Sequence, residues 1–143
     1  MKAWRMAAGF YLVVMAGWVI VHFFGHTFGE DHPEEPTTGT DERFATLDAF
    51  MALAFLLTSI TAYQAVRRAA KQSPPAPGWF VSNLFFYLTV LVAIPFFANW
   101  FASMGHTDDG LLWIYVETAG PVTWGIQAVR LWRSAGRAGR VTA

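Results

Sequence analysis

Residues Met6 to Gly25 read MAAGFYLVVMAGWVIVHFFG, with no Lys, Arg, Asp or Glu among them. A helix that crosses the hydrocarbon core of a bilayer needs about 20 apolar residues in succession. A helix lying on a soluble core instead shows a polar face at 3.6-residue spacing. The run from Met6 is apolar all round, so lipid is its expected solvent. Three further runs repeat the pattern, at Phe44 to Val66, Trp79 to Met104 and Leu111 to Trp132. The segments between them are polar breakers. Glu30 to Glu42 is acidic and carries Pro33 and Pro36, Lys71 to Gly78 reads KQSPPAPG, and Gly105 to Gly110 reads GHTDDG. The expected architecture is all-α: a four-transmembrane-helix bundle, one domain over 1–143, with helices at about 6–26, 44–67, 79–104 and 111–133. The first run has the basic lead of a signal peptide in Lys2 and Arg5. Its apolar core is longer than the usual 7–15 residues, and no small-x-small cleavage site follows, so it is read as a retained span.

Composition agrees. The chain has 143 residues, of which 55% are hydrophobic and 14% charged, against about 25% charged in a typical soluble domain. There is no cysteine, which excludes disulfide scaffolds, thiol redox chemistry and thiolate metal sites. The formal net charge is zero, so no global field attracts nucleic acid, and no nucleic-acid partner is expected.

The charges divide by side. Lys2 and Arg5 precede the first run, Arg67, Arg68 and Lys71 follow the second, and Arg130, Arg133, Arg137 and Arg140 end the fourth. Only Arg43 falls on the other side. The positive-inside rule makes the basic side cytoplasmic, with both the N and C termini there. The acids mirror this. Glu30, Asp31, Glu34, Glu35, Asp41, Glu42, Asp108 and Asp109 occupy the opposite connectors, and Asp48 and Glu117 sit in helices near that same end. An odd number of crossings would mix the signs. The expected location is an integral one, in a bacterial cytoplasmic membrane, with the acidic loops 27–43 and 105–110 outside. Trp4, Trp79 and Trp132 suit the inner interface, and Trp100 and Trp113 the outer one. Trp18 and Trp124 fall deeper and are expected to pack between helices.

All four histidines, His22, His26, His32 and His106, fall toward the acidic side. His22 and His26 are four residues apart and share a helix face. At 1.5 Å per residue, Glu117 lies about 10 Å below the outer boundary, and His22, Asp48 and Asn99 roughly 6–8 Å below it. One polar or ionisable group from each helix therefore reaches a similar level. A carboxylate facing lipid costs roughly 2.5–3.5 kcal/mol at the bilayer centre, less near the interface. Asp48 and Glu117 are therefore expected to turn inward, toward the histidines, Tyr115, Asn99 and water. Gly120 and Pro121 are expected to kink the fourth helix.

Three chemistries suit this set. The first is a metal site with His22, His26, His106, Glu117 and Asp48 as ligands. Imidazole with carboxylate favours a transition metal ion: zinc, copper, iron or manganese. The second is an electron-transfer anchor for quinone or haem b, the haem held by two histidines such as His22 and His106. The third is a hydrogen-bonded network that fixes helix packing in a structural accessory subunit. In the first, Asp48, Glu117, Asn99 and Tyr115 serve as ligand or proton groups. Hydroxyl and amide residues toward the basic end, including Thr58, Thr61, Thr123 and Gln127, suit either a polar path or helix packing. The arginine-rich segment RLWRSAGRAGR (130–140) suits topology and anionic lipid, at about 1 kcal/mol per residue. GEDHPEEP in the first connector lacks the spacing of an EF-hand. No hydrolase, nucleotide-binding or metalloprotease motif appears, which favours a non-enzymatic role. The expected function is an outer-leaflet His/carboxylate pocket that binds a metal ion or cationic ligand. It would act in transport or within a larger membrane complex, and the expected partners are the lipid bilayer and a homo-oligomer or membrane complex.

Overall fold

The computed structural model describes residues 2–28, 42–72, 78–105, 107 and 109–140, without the side chains of 26–28, 42–45 and 137–140. These residues form four helices: α1 (Lys2–Phe28), α2 (Glu42–Ala70), α3 (Gly78–Ser103) and α4 (Gly110–Arg140). No strand occurs among them. Most helices run past the apolar stretches that announce them. Hydropathy marks only the length matched to hydrocarbon, whereas backbone hydrogen bonding continues into the polar flanks, as with Lys2 to Arg5 ahead of the first run.

Each helix packs on the next in the chain, and α1 closes the ring with an extensive face against α4. Ring pairs fix the directions. Phe55 meets Phe96 at 4.8 Å and Tyr63 meets Phe86 at 5.7 Å, which is antiparallel packing of α2 and α3. Phe55 meets Trp124 at 4.9 Å and Thr61 meets Gln127, so α2 and α4 run parallel where they approach across the bundle. α1 and α3 take the other diagonal and do not pack together.

The core follows from periodicity. Ala8, Leu12, Met15, Ala16 and Val19 fall on one stripe of α1 and are at most 9% exposed. Phe55, Phe96 and Trp124 are fully buried and form an aromatic block at the centre. Gly120 lets α4 approach this block, since a Cβ there would lie 3.2 Å from the Phe55 ring. Gly9 does the same for α1, where a Cβ would run into the Trp132 ring. Trp132 lies across that contact, and its Nε1 donates to the Met6 carbonyl at 3.3 Å. α4 continues unbroken through Gly120 and Pro121.

The outer surface is apolar. Phe10, Val21, Phe80, Leu91, Ile94 and Leu111 each expose more than 60% of their surface. A soluble monomer rarely leaves so much apolar area to water, and it suits contact with lipid. Three helices are long and apolar enough to cross a membrane, over Lys2–Gly25, Thr46–Ala70 and Gly78–Ser103. At 31 residues α4 is longer, but it is more polar than the sequence reading of four equivalent spans expects. Two of its polar groups, Thr123 and Gln127, are each 2% exposed and face the other helices. Its outward stripe is Leu111, Ile114, Val122, Ile126 and Val129.

Trp124 is buried as expected, but Trp18 is not, being 46% exposed. The buried stripe of α1 passes through Met15 and Val19. Trp18 is turned about 100° from Val19 and meets α2 at Phe50 (6.0 Å between ring centroids).

Candidate functional site

The acidic end of the bundle begins with a clamp. Asn99, near the end of α3, donates from Nδ2 to the Asp109 carbonyl at 3.0 Å and accepts the Asp109 amide on Oδ1 at 2.7 Å. Asp109 then caps α4, its Oδ1 accepting the Leu111 amide at 2.8 Å. Asn99 is 2% exposed, so both polar atoms of a buried amide are satisfied by the segment that starts α4. Sequence reading places Asn99 among the ligand or proton groups. The structure gives it the positioning of α4, and with it the depth of Glu117.

Asp48 on α2 and Glu117 on α4 are both half-buried and close enough to interact electrostatically. The register explains this. Asp48 stands seven residues before Phe55, and Glu117 seven before Trp124. Seven residues are two turns, which return a side chain to nearly the same face. The face that joins Phe55 to Trp124 therefore joins the two acids about 10 Å further toward the acidic end.

His22 is half-buried and continues the inward stripe of α1 beyond Met15 and Val19. Both His22 and Asp48 have interaction partners. Tyr115 is 37% exposed and falls with Leu111, Ile114 and Val122 on the outward side of α4, away from the acid pair. The side chain of His26 and the whole of His106 lie outside the described residues, as does His32. The two-histidine haem arrangement therefore rests partly on an undescribed position. Among the described residues, no group of three or more His, Asp or Glu is gathered closely enough to hold a metal ion. What the described structure brings together is the carboxylate pair.

Below the pair the axis is closed by the Phe55, Phe96 and Trp124 rings, all 0% exposed. Beyond the rings a second polar level begins. Gln127 Nε2 donates to Thr61 Oγ1 at 2.6 Å, and Thr61 Oγ1 also donates to its own helix at the Leu57 carbonyl, 2.7 Å away. Thr89 and Thr123 likewise bond carbonyls of their own helices. These hydroxyls bond within their own helices, and three fully buried rings stand between the two polar levels. Spacing alone marks Thr61 and Gln127 as a packing pair or part of a path. Only the parallel α2–α4 approach shows that they bond each other.

No protein-family model, no curated protein and no solved structure matches this chain.

Proposed function

We propose that the chain is a four-span integral membrane protein of a bacterial cytoplasmic membrane, with both termini cytoplasmic, whose Asp48–Glu117 pair holds a metal ion or other cation near the outer face. The fourth crossing is supported by the apolar outward stripe of α4, since its polar groups at Thr123 and Gln127 face other helices. The orientation is supported by the gathering of Arg5, Arg68, Arg130 and Arg133 at the end opposite the acids.

One observation carries the ligand assignment: two half-buried carboxylates from α2 and α4 interact across the bundle axis. Two half-buried acids that feel each other's charge favour a positive charge near them, from a metal ion, an organic cation or a shared proton, in addition to the partner Asp48 already has. His22 stands on α1 at the same end, but among the described residues it is not gathered with the two acids closely enough to share a metal ion. The aromatic block below makes this a site reached from the outer face. The protein then acts in cation handling, in transport or as one subunit of a larger membrane complex or homo-oligomer.

The test is purification in mild detergent without chelator or histidine tag, followed by elemental analysis, an absorption spectrum and infrared spectroscopy. Wild type is expected to carry near-stoichiometric metal, or a protonated-carboxyl band if the shared charge is a proton. Glu117→Gln and Asp48→Asn should each remove that signature while circular dichroism stays helical. A wild type with neither signature would overturn the reading, as would variants identical to it. A haem spectrum would replace it with the electron-transfer anchor.

A further inference from the structure

At the basic end, the helix termini do not close over the Thr61–Gln127 level. A cavity of about 340 Å³ opens there between α1, α2 and α4. Arg5, Arg68, Arg130 and Arg133 line it, together with Thr61 and Gln127, and no Asp or Glu does. Four arginines gathered at one cavity, with no acid in its lining, favour an anion there.

The protein does not supply that anion among the described residues. Arg5 donates to Ser134 Oγ at 3.4 Å, Arg68 to Gln64 Oε1 at 3.1 Å and Arg130 to Ser82 Oγ at 3.2 Å, all neutral acceptors. Arg130 also lies over the Phe85 ring at 4.6 Å. These contacts hold the guanidiniums in place and leave donors for a ligand, because each guanidinium carries five N–H groups in a fixed fork. The cavity floor adds a second, independent sign. Gln127 is 2% exposed, lines the cavity, and its Oε1 has no hydrogen-bond partner. A buried carbonyl oxygen without a donor is costly, and a ligand hydroxyl in the adjoining cavity would satisfy it once Oε1, which has almost no accessible surface of its own, turns toward it. From Thr61 to Arg68 is seven residues, so the lining extends about 10 Å along α2.

We propose that this cavity is a binding site for a phosphate ester that carries a hydroxyl group. The guanidiniums take the phosphate oxygens in bidentate fashion, and Gln127 Oε1 accepts from the hydroxyl. Two sources share this chemistry: the headgroup of a lipid such as phosphatidylglycerol, and a soluble compound such as glycerol phosphate. Trp4 lines the same cavity and is 49% exposed, where a lipid headgroup would meet an interfacial ring.

Adjacent arginines provide the control. Arg68 lines the cavity, whereas Arg67 stacks 6.0 Å from the Tyr63 ring and does not. Arg67→Gln and Arg68→Gln remove the same charge from the same turn of α2. Native mass spectrometry would measure retained lipid on protein from nanodiscs containing phosphatidylglycerol or phosphatidylcholine. Thermal unfolding in phosphatidylcholine nanodiscs would be followed with added glycerol phosphate. Arg68→Gln combined with Arg133→Gln is expected to weaken binding about tenfold, and Arg67→Gln less than about twofold. Retention of phosphatidylglycerol assigns the lipid source, and stabilisation by glycerol phosphate assigns the soluble one. Equal losses in Arg67→Gln and Arg68→Gln would show a general cationic collar and overturn the site. Absence of binding by either probe would overturn it too. The single variants keep the proposal testable if the double variant fails to fold.

Discussion

The α2–α4 axis meets water at two ends built from opposite chemistry. At one, Asp48 and Glu117 interact as half-buried carboxylates. At the other, four arginines surround an open cavity. Between them stand three fully buried rings and the Thr61–Gln127 bond. The acidic end is defined by a clamp, with Asn99 fixing the start of α4. The basic end is roomy, and its cations are held by neutral oxygens and rings. Charges of one sign can be stored in a bundle in either way, by close pairing around a small counter-charge or by spreading them around a larger anion. The ligands proposed for the two ends are of opposite sign and different size.

The difference depends on the central rings keeping the ends apart. Trp124→Ala removes the largest of them, and the expected loss is about 3–5 kcal/mol of stability by denaturant titration in detergent. If the two ends are separate, the effect on cation and phosphate binding should follow the loss of fold equally. A selective loss at one end would place the ring within that site. Asn99→Ala leaves the Asp109 amide without its buried acceptor, at an expected cost of about 1–3 kcal/mol. It should also disturb cation binding through Glu117 while phosphate-ester binding at the far end remains, which sharpens the contrast between a clamped and an open end. Thr61→Val removes the acceptor of Gln127 Nε2 and should cost least, about 0.6–1.7 kcal/mol, read from thermal unfolding. Its effect should fall on the phosphate end alone, since Gln127 lines that cavity.

The helices were legible because lipid-matched runs are long and lack charge, and their alternating basic and acidic connectors separate the two ends. The finer placement was not. Depth from the 1.5 Å rise brings Asp48 and Glu117 to similar levels, but only the parallel diagonal of α2 and α4 turns them toward each other. Asn99 lies at the right level too, yet its amide is engaged by the next turn of chain, a pairing across ten residues that a helical-face argument does not reach. Tyr115 is a matter of direction rather than depth. It is two residues from Glu117, and on a helix that separation turns it about 200° away. The arginines were visible as topology markers, but that they converge on a cavity with Gln127 at its floor depends on how three helix ends splay. α4 hid its own character, because polar side chains directed inward lower its average hydropathy while its outer stripe stays apolar.

The seven-residue step that sets Asp48 over Phe55, and Glu117 over Trp124, acts as a ruler for the gene as well as for the fold. One residue inserted between Asp48 and Phe55 would swing Asp48 by about 100° and send its carboxylate toward a neighbouring helix or lipid. Between these marks, α2 and α4 can therefore change length only in whole heptads. Homologous chains should accept insertions freely in the connectors and almost never within these two segments.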